Sequence, residues 1–226
     1  MVLSGLIDLL LPPRCGGCGL LGALYCEPCR MRTRRLEEPL CRRCGAEAEH
    51  ARAACGCRTW LRHLARVRSA AAYDGCLEKA IHRFKYEGRR PLAGPLALLL
   101  AELLAVDGIA AEAITWVPLH RGRLRSRGYN QAELLGRELA RLSGLPVLEG
   151  LVRSRDTPPQ VGLDRIRRRE NVRDAFGWQG LGLSRVSLLL VDDVATTGAT
   201  LDACAAALRA AGAGPVIGLT VARVRL

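Results

Sequence analysis

Residues 188–200 read LLLVDDVATTGAT. Leu188, Leu189, Leu190 and Val191 form an unbroken apolar run, the mark of a strand buried on both faces in a parallel sheet covered by helices. Asp192 and Asp193 stand where that strand leaves the sheet, and Thr196, Thr197, Gly198, Ala199 and Thr200 make a small, hydroxyl-rich turn into a helix. Such a turn suits a sugar phosphate. Gly198 lets backbone approach closely, the free N–H groups and positive end of the helix favour an anion, and the threonine hydroxyls add donors. Two adjacent carboxylates fit ribose hydroxyls, directly or through Mg²⁺. A tight turn with Asp and Thr caps is the plainer alternative, but a strand, an acidic pair and a small-residue loop in that order are far more specific than a lone glycine-rich turn.

On either side, strands alternate with helices. Val67 to Tyr73 reads as a strand, and Leu77, Ile81 and Phe84 recur at helical spacing after it. Lys85, Tyr86, Glu87 and Gly88 end that helix, and Pro91 opens a long apolar helix to about Ala105. Lys85 is a candidate cation at the mouth of a substrate site; a solvated helix end is the alternative. Ala113 to Val117 is a short strand broken by Pro118, followed by Leu119, His120 and Arg121. Arg121, Arg123, Arg125 and Arg127 then make a phosphate-attracting rim, and a helix follows with Leu134, Leu135, Leu139 and Leu142 toward the core. After the central turn, Leu201, Cys204, Ala205 and Leu208 mark a helix, and Val216 to Val224 is the last strand. This order predicts an α/β domain with a parallel sheet, the phosphate turn lying at the carboxyl ends of its strands.

From Arg153 to Ala175 no periodicity persists. A long polar segment inside a compact domain reads as a lid or binding loop, with an exposed basic helix over 164–172 as the alternative. It carries Arg165, Arg167, Arg168 and Arg169, guanidinium groups suited to several phosphates or to a nucleic-acid backbone. Tyr129, Phe176 and Trp178 are the candidate base-stacking aromatics.

Cysteine is unevenly spread: eight of ten precede Trp60. Cys15, Cys18, Cys26 and Cys29 form one paired set, and Cys41, Cys44, Cys55 and Cys57 a second. Cysteines two apart in tight knuckles present both sulfurs to one tetrahedral ion, so the spacing predicts one or two structural Zn²⁺ sites. In the second set the CxC bite leaves room for His50 or His63 as a ligand, and ligands drawn from both sets are also consistent with the spacing. Disulfides are the alternative, but no secretory signal is evident: Val2 to Leu11 is apolar, interrupted by Asp8 and too short to span a bilayer, and reads as a short docking helix. We therefore expect a cytoplasmic protein without a transmembrane segment, built as a zinc-ribbon-like module over 1–60 and an α/β domain over 61–226. Cys76 and Cys204 read as core filling.

The formal net charge is +12, with 34 Lys and Arg against 22 acids. Residues 1–60 contribute +3 of that, and two zinc ions each held by four thiolates would bring the segment to about −1. The basic surface then belongs to the second domain and points to an anionic partner, phosphate, nucleotide or nucleic acid; a solvated basic surface, its arginine excess owed in part to genomic composition bias, is the alternative.

Beyond the central turn, FKYEGRRPLA at 84–93, VPLHRGRLRSRGYNQAELL at 117–135 and TPPQVGLDRIRRRENVRDAF at 157–176 resemble successive blocks of the ComF family, which includes the ComFC-type competence proteins. The central turn itself resembles the diphosphosugar signature of type I phosphoribosyltransferases. The resemblance implies a type I phosphoribosyltransferase-like sheet behind a double zinc ribbon. It also implies a site for 5-phosphoribosyl 1-diphosphate with Mg²⁺, in which Pro118, Leu119, His120 and Arg121 bind the diphosphate and Lys85 lies nearby. The implied setting is DNA uptake in natural transformation, with competence-machinery proteins as partners. That fold hosts enzymes, regulators and binding proteins alike. A phosphoribosyltransferase of unspecified acceptor therefore stands beside a non-catalytic adaptor or binder of single-stranded DNA.

Overall fold

The computed structural model describes residues 12–47, 55–155 and 174–225. The apolar run becomes β5 (Leu188–Ala195), with Leu188, Leu189, Leu190 and Val191 fully buried. Its neighbours are β6 (Val216–Arg223) and β2 (Ala113–Trp116), and β1 (Arg66–Ala72) lies beyond β6, giving the order β1-β6-β5-β2. Every pairing in this sheet is parallel; Leu190 lies beside Thr115 on one side and Gly218 on the other. Buried parallel strands need helical cover, and the amphipathic segments between them supply it.

β1 leads into α2 (Gly75–Tyr86), whose Leu77, Ile81 and Phe84 are buried as their spacing predicts. α3 (Ala93–Val106) starts after a 3₁₀ turn at Arg90–Leu92, where Pro91 presets the backbone. It packs against β1, β6 and α5 (Gln131–Ser143), and α5 covers β2 and β5. Leu135 and Leu139 carry that contact, while Leu134 and Leu142 are only partly buried. α6 (Ala199–Ala210) runs from the central turn to β6. Two short strands, β3 (Leu151–Arg153) and β4 (Phe176–Trp178), pair antiparallel beside α6 and bracket the arginine-rich segment. Residues 156–173, with Arg165, Arg167, Arg168 and Arg169, lie outside the described residues, as do the expected N-terminal helix and His50.

Arg121 to Arg127, whose spacing assigns no backbone structure, forms the helix α4 (Arg121–Arg127), capped by His120, whose Nδ1 accepts from the Gly122 N–H at 3.3 Å. Successive residues on a helix are about 100° apart, so the arginines divide between faces.

The cysteine-rich segment, which includes the short helix α1 (Glu27–Met31), packs directly on the sheet domain. Arg83 of α2 donates to the carbonyls of Cys15 and Gly16 at 3.0 and 2.9 Å. Buried Arg223 donates to the Cys44 carbonyl at 2.7 Å, and the Val67 N–H donates to the Arg43 carbonyl at 2.6 Å. Glu102 of α3 receives Arg30 at 2.7 Å and also Arg35. The buried side chains Tyr25, Leu61 and Leu64 join the same core as the sheet. Among the described residues no helix is long and apolar enough to cross a membrane.

Candidate functional site

The carboxyl ends of β5 and β2 open into one cavity of about 580 Å³. From the central turn come Asp192, Asp193, Thr196, Gly198, Ala199 and Thr200; from the segment after β2 come Pro118 and Leu119; from α2 comes Lys85. Gly198 takes φ +81° as the residue before α6, a left-handed conformation that a side chain resists, and with Ala199 and Thr200 it brings the start of that helix to the cavity. Thr197 is buried and braces the turn from behind, its hydroxyl accepting from the Ala199 N–H at 3.3 Å. α4 sends Arg123 and Arg127 to the cavity; Arg121, Arg125 and the capping His120 are not on its lining. Arg127 is held in place by Gln131 Oε1 at 2.6 Å and by the Tyr86 ring, 5.0 Å from its guanidinium carbon.

The acidic pair divides in behaviour. Lys85 Nζ lies 2.9 Å from Asp193 Oδ1, with both side chains largely buried. Burial, the largest single influence, would lower the Lys85 pKa, but the Asp193 charge and hydrogen bond together with the Asp192 charge outweigh it and the value rises. Asp192 sits beside this pair with its carboxylate accepting the Asp193 N–H at 2.9 Å. Burial, and next the Asp193 charge, push Asp192 up to about 7 against the opposing pull of Lys85 and Arg153. A site so arranged holds one carboxylate paired with Lys85 and a second, Asp192, poised near neutral pH, with cations on its rim.

Sequence reading did not single out Tyr73, Tyr86, Asn130, Gln131, Arg153 or Val224, all of which line the cavity. Asn130 has a legible role: its amide donates to the Val117 carbonyl at 3.0 Å and its oxygen caps α5 on the Ala132 N–H at 3.1 Å, tying the start of α5 to the end of β2. Gln131 is buried, and its Nε2 finds no hydrogen-bond partner among the described residues. Tyr129 is buried rather than available for stacking; its hydroxyl donates to the Phe84 carbonyl.

Both cysteine sets assemble as separate clusters. In Cys15, Cys18, Cys26 and Cys29, and again in Cys41, Cys44, Cys55 and Cys57, all sulfurs lie within 4.8 Å of one another. Sulfur pairs stand 3.4–3.7 Å apart, matching the edges of a tetrahedron of thiolates around zinc. Burial opposes ionisation of Cys15, but the N–H groups of Cys26, Cys18 and Gly17 overcome it and bring that thiol to about 6. Cys41 reaches about 7 in the same way, burial being outweighed by the N–H groups of Cys44 and Arg43. His63 is exposed and outside the second cluster, which needs no histidine. Cys204 is buried core; Cys76 is only partly buried, its Cβ bordering the knuckle at Gly17.

Fold and site together define a parallel α/β protein that carries two structural zinc knuckle pairs and a cavity at the carboxyl ends of its strands. The family model for a double zinc ribbon domain matches residues 6–58. The chain belongs to the ComF family of competence and DNA-utilization proteins. It is 34% identical over 219 residues to the DNA utilization protein YhgH of Escherichia coli O157:H7, covering 92% of this chain and 96% of that one. It is 33% identical over 199 residues to Competence protein F of Haemophilus influenzae, covering 83% and 85%. Among solved structures, adenine phosphoribosyltransferase from Leishmania tarentolae is 16% identical over 58% of this chain and 71% of that one, with a TM-score of 0.34.

Proposed function

We propose that the cavity binds 5-phosphoribosyl 1-diphosphate or a related sugar phosphate, in a cytoplasmic protein that serves DNA uptake. The turn from Thr196 to Thr200 holds the 5-phosphate on the N–H groups of α6, and Asp192 and Asp193 take the ribose hydroxyls. Pro118 and Leu119, with Arg123 and Arg127 in place of the more remote His120 and Arg121, receive the diphosphate together with Mg²⁺. One observation carries this reading: the glycine-hinged turn at the start of α6, the acidic pair and two guanidinium groups share a single cavity. Displacement at C1 develops oxocarbenium-like charge, so positioning and neutralisation of the leaving diphosphate suffice without a protein nucleophile. The names of the relatives, DNA utilization protein and Competence protein F, support the assignment to DNA uptake.

The test is calorimetric titration of the donor with and without Mg²⁺. Wild type binds, and the Asp192→Asn, Asp193→Asn protein binds far more weakly; equal affinity in the two would defeat the assignment. The charge of +12 and the exposed Arg121 and Arg125 favour a second reading, a single-stranded DNA surface outside the cavity. Binding of this kind falls steeply with salt and weakens on Arg167→Ala, Arg168→Ala; indifference to both removes it.

A further inference from the structure

The second ribbon reaches the phosphate turn through a short relay. After Cys57 the chain makes a tight turn in which the N–H groups of Trp60 and Leu61 donate to the Cys57 carbonyl at 3.1 and 2.8 Å. The Leu61 carbonyl accepts from Arg43 Nε at 2.8 Å. Arg43 lies between Cys41 and Cys44, so the backbone of Leu61 is gripped from both knuckles of the same cluster. Its side chain is fully buried and lies behind Gly198: a Cβ built on that glycine would stand 3.0 Å from Leu61 Cδ2. The following residues clasp α6 itself. Asp202 Oδ1, in the first turns of that helix, accepts the N–H groups of His63 at 2.8 Å and Leu64 at 3.2 Å, and Asp202 is 7% exposed.

The first ribbon is wired differently. Its bonds run to α2 through Arg83 and to α3 through Glu102. A carboxylate buried at a helix start and spent on two backbone N–H groups from a distant segment is a joint between elements, because unmaking it strands buried donors as well as the acceptor.

We propose that Leu61 and Asp202 make the second zinc ribbon the positioning element of the phosphate turn, so that zinc held by Cys41, Cys44, Cys55 and Cys57 sets how firmly the turn is closed and how tightly it grips a phosphorylated sugar. The last clause rests on the sugar-phosphate reading; the closure of the turn does not. Coupling of this kind needs a continuous packed path, and the path here is Cys57 to Leu61 to Gly198, with Asp202 as its clasp.

The experiment is hydrogen–deuterium exchange over residues 196–202 of the full chain, without ligand, with zinc content measured for each protein. Asp202→Ala should keep two zinc ions yet exchange faster across the turn, while Asp202→Asn, which retains the accepting oxygen, should match wild type. Stripping zinc from wild type with a chelator should raise exchange in the turn, and stripping Asp202→Ala should add little. Leu61→Val supplies a milder probe of the same path if Asp202→Ala does not fold, and should also speed turn exchange with both zincs in place. Donor affinity, by calorimetry, should fall about tenfold in Asp202→Ala and recover in Asp202→Asn. Wild-type exchange in zinc-loaded Asp202→Ala and Leu61→Val, or a turn indifferent to zinc removal, overturns the proposal. A wild-type protein that does not bind the donor overturns the sugar-phosphate reading alone, since exchange is read without ligand.

Discussion

Lys85 Nζ and Asp193 Oδ1 meet at 2.9 Å, joining the end of α2 to the end of β5 at the cavity floor. Side-chain exposures of 19% and 11% leave each charge dependent on the other. Lys85→Gln should therefore strand a buried carboxylate and destabilise the protein by about 3 kcal/mol, lowering Tm by roughly 5–10 °C. Asp193→Asn should destabilise in the same sense, and the double variant should recover much of the loss. Calorimetric melts of the three proteins measure the coupling. A double variant as unstable as the sum of the singles would mean that the two charges act independently.

Asp192 predicts a pH dependence of definite sign. Burial and the Asp193 charge raise its folded pKa to about 7 from the ordinary 3.8. A carboxyl raised on folding favours the protonated native state, so ionisation penalises the fold: the penalty is absent below the unfolded value, grows between the two and is complete above the folded one. An amide at this position carries no such penalty. The Asp192→Asn protein should melt within about a degree of wild type at acid pH near 4 and several degrees above it near pH 8. Paired melts at the two pH values check this, and an offset that does not change with pH would contradict it. The stabilised variant should bind sugar phosphate worse, since a carboxylate placed at a ligand site is tolerated at the expense of the fold.

The helical character of α4 separates its arginines by function. Arg123 and Arg127 line the cavity, while Arg121 and Arg125 are exposed outside its lining. Loss of a guanidinium that hydrogen-bonds a phosphate oxygen weakens binding by about tenfold or more. Arg127→Ala should show that loss for 5-phosphoribosyl 1-diphosphate, and Arg125→Ala should stay within about twofold, since an exposed charge at a distance is largely screened. Equal losses in the two would mean that the diphosphate is held by the general field of the helix rather than at the cavity.

What could be read from the sequence was what local spacing encodes. The Leu188 to Val191 run, the Leu77, Ile81 and Phe84 repeat and the two cysteine sets each announce their partner within a few residues, so β5, α2 and the thiolate clusters were all legible. α4 was not, because arginine at every second position carries no helical period of apolar residues to announce the backbone. β3 and β4 are three residues each, too short for an alternating pattern, and their pairing spans the arginine-rich segment. Tyr73, Arg153 and Val224 reach the cavity only through tertiary approach. Asp202 looks locally like an acid placed to suit the start of a helix, and its task of holding His63 and Leu64 has no nearby signature.

Two glycine-to-alanine changes should differ widely in cost. Gly198 adopts φ +81°, and an added Cβ would meet Leu61 Cδ2 at 3.0 Å. The left-handed backbone disfavours alanine by about 1 kcal/mol, and shifting a fully buried leucine adds a comparable amount, so Gly198→Ala should destabilise by about 2 kcal/mol. Gly94 lies in the first turn of α3 directly before Pro95, and apart from its chain neighbours nothing stands within 4 Å of an added Cβ. Gly94→Ala should change stability by less than about 0.5 kcal/mol, its gain in helix propensity being offset by the Pro95 ring, whose Cδ crowds a Cβ on the preceding residue. Chemical denaturation of both variants measures the pair. If Gly198→Ala were as benign as Gly94→Ala, Leu61 would not be backing the turn, and the tight approach of ribbon to phosphate loop would have no energetic weight.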